Sequence, residues 1–181
     1  MWFTSDNASG AAPEVMAAVV AANDGYTRGY GAEQLMDRVR SEIRSAFAAP
    51  EAAVYLVPTG TVANSLSLAV LCPPWGGVFC HTHSHIVEDE CGAPEFYMNG
   101  GRLVQVDGAH GKMEPAALAG AIEKAKGSGV HGIQPGAVSI TNVTEAGTVH
   151  SVAEVAALAG IARAHGLPVH MDGARFANAL V

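Results

Sequence analysis

An apolar run, Leu167-Pro168-Val169-His170-Met171, leads straight into Asp172-Gly173-Ala174-Arg175-Phe176. Read physically, this is a buried strand that delivers a carboxylate and a guanidinium to its C-terminal end, where open α/β sheets place their ligands. A carboxylate there can hold a ring nitrogen protonated, because an opposite charge favours the charged form. An arginine three residues on can fork a substrate carboxylate with two parallel N–H donors. The plainer use of the same residues is an Asp–Arg ion pair at a strand–helix turn, and Asp172 alone favours that use.

Two further segments carry chemistry. Pro58-Thr59-Gly60-Thr61-Val62-Ala63-Asn64 follows one apolar run and opens another. A glycine permits a tight turn, two hydroxyls flank it, and the N–H groups of a helix start carry partial positive charge, so the turn can cradle a phosphate. An ordinary threonine N-cap explains it equally well. The segment is neither a GxxxxGK[ST] phosphate loop nor a GxGxxG dinucleotide fingerprint, so a single phosphate suits it better than ATP or NAD. The run His81-Thr82-His83-Ser84-His85-Ile86-Val87-Glu88-Asp89-Glu90-Cys91-Gly92 alternates histidines as a zinc site can. A third and fourth ligand are not evident, so no metal is expected. A flat imidazole stacked on a planar ring fits a phosphate-binding α/β domain better, and His85, at the start of a helical stretch, is the candidate.

The elements that must position these groups follow from the patterning. Helices are predicted over about Pro13 to Ala22 and Ala32 to Ala48, the second with Leu35, Val39, Ile43 and Phe47 on one face. Val54-Tyr55-Leu56-Val57 reads as a short strand, followed by the Thr59-Gly60-Thr61 turn and a helix to about Leu71. Strands are predicted at Val78-Phe79-Cys80, Arg102 to Val106, Ala137 to Ile140 and Pro168 to Met171. Between them lie a helix over Glu114 to Lys126 and another to about His165, capped by Ser151 with Glu154 completing a capping box. Strands alternating with helices of this length predict a three-layer α/β/α fold with a mainly parallel sheet. Residues 1–181 are expected to form a single large domain with an N-terminal arm at about 1–30.

Bulk properties narrow the function. Apolar residues make up 49% and charged residues 15% of the chain, which predicts a well-buried α/β domain. A net charge of −7 excludes the basic surface that nucleic acid requires. No apolar run reaches membrane-spanning length. Cys72, Cys80 and Cys91 lack metal or disulfide spacing and read as free thiols. With no secretory pattern in Met1 to Asp6, the cytoplasm is the expected location.

Taken in order, the three chemical segments resemble the threonine aldolase and β-eliminating lyase family, pyridoxal-phosphate enzymes of the aspartate-aminotransferase fold. His170-Met171-Asp172-Gly173-Ala174-Arg175 is similar to the family's His-x-Asp-Gly-Ala-Arg, and Thr59-Gly60-Thr61 to its phosphate turn. His85, five residues before Glu90-Cys91-Gly92, is similar to its ring-stacking histidine. Thr4-Ser5-Asp6 and Gly29-Tyr30-Gly31 resemble its N-terminal segment and its Tyr-Gly loop. Thr141 to Val149 resembles the loop before the next helix.

The resemblance implies pyridoxal 5'-phosphate held by Thr59, Gly60, Thr61, His85, Asp172 and Arg175. Its ring works as an electron sink when Asp172 holds the nitrogen protonated. Arg175 and Ser5 would bind the substrate carboxylate, and Tyr30 would reach a neighbouring site across a homodimer or homotetramer. The implied reaction cleaves a β-hydroxy amino acid of the L-threonine or L-allo-threonine type to glycine and an aldehyde. The catalytic set is then Asp172 with His85 or His83, or a water between them, as base. A different lyase or racemase of β-hydroxy amino acids and a non-catalytic cofactor-binding fragment are the alternatives. One departure is large: none of Lys112, Lys124 and Lys126 stands where the family's Schiff-base lysine stands, beyond the aspartate motif. The chain therefore resembles the N-terminal half of such an enzyme.

Overall fold

The computed structural model describes residues 8–180. They fall into two compact units, one ending at Leu56 and one beginning at Val57. The first holds helix α1 (Pro13–Ala22), which Pro13 starts from its first turn, and helix α2 (Gln34–Ala46). Both form where the periodicity predicts them. Neither contains a fully buried residue, and Leu35 and Phe47 of the predicted apolar stripe stay more than half exposed. The expected strand at Val54–Val57 is not formed: Tyr55 and Leu56 lie in exposed, irregular chain. The β-rich composition is present, but a strand exists only by exchanging backbone hydrogen bonds with a neighbour. Among the described residues none pairs with it.

The second unit opens with helix α3 (Gly60–Leu71) and strand β1 (Gly76–His81), then two short helices, α4 (His85–Glu88) and α5 (Ala93–Tyr97). Strand β2 (Arg102–Val106), helix α6 (Pro115–Gly127), strand β3 (Gln134–Thr141), helix α7 (Val152–Ala164) and strand β4 (Val169–Asp172) complete it. All pairings are parallel and the strand order is β2-β1-β3-β4. Every residue of β1 is buried, as expected for a central parallel strand covered on both faces.

Alternation along the strands separates two cores. Val78, Cys80 and Ala137 pack with Leu68 and Cys72 of the α3 side, together with Ile86 and Met98. Phe79, Val138 and Ile140 pack on the opposite face with Leu118 and Ile122 of α6 and Leu158 and Ala162 of α7. The predicted three layers are therefore present. Gly136 allows the close fit beneath α3: a Cβ there would run into Cys72 Sγ and lie 3.1 Å from the Gly77 carbonyl. No helix among the described residues is long and apolar enough to cross a membrane.

The topology creates the site. From β1 the chain moves to β2 on one side, then returns past β1 to β3 on the other. The direction reverses between β1 and β3, and a crevice opens beyond the carboxyl ends of strands at such a point. His81, Thr141 and Asp172 are the last residues of β1, β3 and β4. The loops that follow carry His83 and His85, Glu145, and Arg175.

Candidate functional site

Thr59 is the N-cap of α3, in extended conformation, and its Oγ1 accepts a hydrogen bond from the Val62 N–H at 3.2 Å. The cap forms as predicted and leaves N–H groups of the first turn without helical partners. A Cβ on Gly60 would meet nothing within 4 Å, so the space over the helix start is open. An anion can sit there with no rearrangement.

One turn into α3, Asn64 points into the crevice and is buried. Its Nδ2 donates to Glu90 Oε1 at 2.9 Å and to Asp172 Oδ2 at 3.1 Å. One amide thus spans two carboxyl groups from different loops. The Ala174 N–H donates to the other oxygen of Asp172 at 3.1 Å. Asp172 is 6% exposed and held on both oxygens by fixed donors. A carboxylate offers about four lone-pair sites, so two bonds leave capacity for a further donor and one to spare. On the same face, His170 is buried and its Nδ1 lies 2.9 Å from Ser139 Oγ, its cross-strand partner in register. Burial lowers the His170 pKa below its ordinary 6.5, with the nearby Asp172 charge opposing.

Glu90 sits behind Asn64. Burial pushes its carboxyl above the ordinary 4.5. The Asn64 amide and the nearby His85 oppose that rise, the Asp172 charge adds to it, and the Thr61 hydroxyl opposes it. Glu90 Oε2 is buried without a hydrogen-bond partner, as is Thr141 Oγ1 at the end of β3. The crevice therefore contains polar atoms that the protein itself leaves unsatisfied, which is what a polar ligand requires of its site.

His85 opens α4, and its Nδ1 lies 3.1 Å from Glu145 Oε1. Arg175 Nη1 donates to that same oxygen at 2.9 Å. Asp89 is 3.6 Å from the same ring nitrogen. The ligand atoms of His85, Asp89 and Glu145 lie within 4.8 Å of one another, close enough to pair with a cation. In this structure Arg175 supplies the cation.

The histidine run resolves into three roles. His81 is buried; its Nδ1 accepts the His83 N–H at 3.0 Å and its Nε2 lies 3.0 Å from the Gly108 carbonyl, so it ties two loops together. His83 is exposed and pairs through Nδ1 with Glu88 at 2.6 Å, with no bond to the Asp172 or Arg175 clusters among the described contacts. Of the three, His85 alone reaches the Arg175 cluster, through Glu145. The structure thus gathers Thr59, Gly60, Thr61, His85, Asp172 and Arg175 at one end of the sheet, while His83 stays peripheral. Tyr30 is fully exposed and belongs to the first unit. Ser5 lies outside the described residues. The sequence reading assigned no role to Asn64 or Glu145. The one local signal for Asn64 is its place a turn after Thr61 on the buried side of α3, which does not reveal its partners; Glu145 lies in a loop whose path no periodicity reveals.

Comparison with known proteins shows the family. A beta-eliminating lyase family model matches residues 3–181. The chain belongs to the beta-eliminating lyase family. This family is pyridoxal-phosphate dependent. Within it, the chain is 41% identical over 177 residues to a low specificity L-threonine aldolase of Pseudomonas aeruginosa, covering 98% of this chain and 50% of that protein. It is 31% identical over 146 residues to low-specificity L-threonine aldolase 1 of Arabidopsis thaliana, covering 72% of this chain and 37% of that one. The structure of a Leishmania major threonine aldolase superposes with a TM-score of 0.89 at 28% identity, over 96% of this chain and 49% of that one. Mouse CSAD, at 19% identity and a TM-score of 0.63, shares the fold. The chain spans about half the length of the curated relatives it matches.

Proposed function

We propose that the protein carrying this chain is a pyridoxal-phosphate-dependent aldolase. It cleaves β-hydroxy amino acids of the L-threonine or L-allo-threonine type into glycine and an aldehyde. The observation that carries the reading is Asp172: a buried carboxylate at a strand end, fixed on both oxygens, at the same end of the sheet as the His85–Glu145–Arg175 contact. The names of the relatives support the reaction class.

Each residue has a physical task. The start of α3, with the Thr59 hydroxyl and the open space over Gly60, takes the phosphate. Asp172 accepts the ring N–H, and Asn64 keeps its carboxylate aimed. His85 would lie against the ring and is the candidate to take the proton of the substrate hydroxyl. Arg175 forks the substrate carboxylate, which fixes the orientation of the bonds at Cα. When bound, the cofactor supplies the electron sink that lets a Cα–Cβ bond break. The proton of the β-hydroxyl passes to His85, or through a water shared with His83. None of Lys112, Lys124 and Lys126 stands beyond the aspartate motif, and Lys112 is paired with Glu154 and Lys126 with Glu123 and His165, so the Schiff-base lysine is assigned to the half of the relatives' length that this chain does not span. Substrate capture by Ser5, and Tyr30 reaching a partner in a homodimer or homotetramer, belong to the same proposal.

The test uses the full-length protein with cofactor and offers threonine, allo-threonine and phenylserine. Release of acetaldehyde or benzaldehyde with equimolar glycine is the expected outcome. Pyruvate and ammonia, or racemisation without aldehyde, would replace the aldolase by another lyase or a racemase.

A further inference from the structure

Arg175 is assigned to the substrate carboxylate, yet in this structure a carboxylate of the protein already sits on it. Glu145 Oε1 accepts from Arg175 Nη1 at 2.9 Å and faces His85 Nδ1 at 3.1 Å. All three side chains are partly sheltered: Glu145 is 19%, His85 31% and Arg175 33% exposed. In such a setting an Arg–carboxylate contact is stronger than on an open surface, and a second anion brought to the same guanidinium is repelled by the first. Glu145 comes from the loop after β3, His85 from the start of α4 just beyond the loop after β1, and Arg175 from the loop after β4. One oxygen therefore ties together all three loops that rim the crevice.

We propose that Glu145 is a positioning residue that stands in for the substrate carboxylate. It holds Arg175 in the site while the site is empty and yields it to the arriving substrate. It keeps its other contact, to His85. A bond from Nδ1 to a carboxylate places the ring proton on Nδ1 and leaves Nε2 as the lone-pair nitrogen of the neutral ring. Release of Arg175 thus couples carboxylate binding to the orientation of the imidazole. Asp89, at 3.6 Å from the same Nδ1, is near enough to steady the ring as Glu145 turns. The inference rests on the aldolase reading of the site.

Two ligands separate the roles: pyridoxamine phosphate, which lacks a carboxylate, and N-(phosphopyridoxyl)glycine, a stable analogue that carries one. Affinities are read by fluorescence on the full-length protein. With Glu145→Gln, pyridoxamine phosphate should bind within twofold of the unmodified protein, while the glycine analogue should bind about tenfold tighter because the competing charge is gone. Glu145→Asp, too short to reach both partners, should show the same selectivity to a smaller degree. In turnover, KM for threonine should fall in both variants, and kcat should fall further in Glu145→Asp, whose shorter side chain loses the orienting bond to the imidazole that the Gln oxygen can still accept. Equal changes for the two ligands, or weaker binding of the glycine analogue, would overturn the role of Glu145. If neither ligand binds the unmodified protein, the aldolase reading fails and the inference with it. A folded Glu145→Asp protein covers the case in which Glu145→Gln does not fold.

Discussion

Asn64 is the residue on which the geometry of the site turns. Its single amide nitrogen reaches Glu90 at 2.9 Å and Asp172 at 3.1 Å, so two acidic groups share one donor group. Burial drives the Glu90 carboxyl above its ordinary 4.5. The sign of the consequence follows from linkage: the folded state binds this proton more tightly than the unfolded chain, so stability falls as pH rises above about 4.5. Replacing Glu90 by Gln keeps the oxygen that accepts from Asn64 and removes the charge. Glu90→Gln should therefore melt at or above the unmodified protein at pH 8, with the gain shrinking as pH approaches 4.5; a lower melting temperature at pH 8 would show that the charged form is favoured there. The Asp172–Arg175 spacing and the Thr59 turn were legible in the sequence because each is a short motif with local geometry. The Asn64 bridge was not, since its partners lie 26 and 108 residues away along the chain.

The elements explain which expectations survived. α7 was legible to the residue: Ser151 Oγ accepts from the Glu154 N–H at 3.2 Å, and Glu154 accepts from the Ser151 N–H at 2.7 Å, completing the capping box. Helix caps are encoded within four residues, so sequence suffices. Ser151→Ala should cost about 1 kcal/mol in urea unfolding; no loss would mean that the Lys112–Glu154 contact alone secures this helix start. The segment Val54–Val57 shows the opposite case. Its residue types suit a strand, but pairing is a property of two segments, and the sequence of one does not say whether the other is present. The exposed stripe of α2 has the same origin: periodicity predicts the helix and its apolar face, and not what that face packs against. The same holds for the histidine run, where alternation singled out His85 with His83 as a second candidate, and packing alone gave each of the three histidines a different neighbour.

At the scale of the whole molecule, the fold and the site have one cause. Strand order β2-β1-β3-β4 puts the reversal between β1 and β3, and the loops beyond their ends converge on Asp172 at the end of β4. Alternation of strands and long helices made this architecture legible; the reversal point was not, because strand order depends on which side of the sheet each crossover takes. The net charge of −7 is no obstacle to a phosphate ligand here, since the α3 start presents backbone N–H groups and not side-chain cations. The central claim is that this end of the sheet is a pyridoxal-phosphate cradle in which Asp172 meets the ring nitrogen. A charge-assisted hydrogen bond contributes about 1.5–3 kcal/mol. The most direct measurement is the affinity of pyridoxamine phosphate, followed by fluorescence, for the full-length protein and for its Asp172→Asn variant. The account predicts saturable binding that weakens tenfold or more in the variant. Unchanged affinity in a folded Asp172→Asn protein, or no binding by the unmodified one, would contradict it.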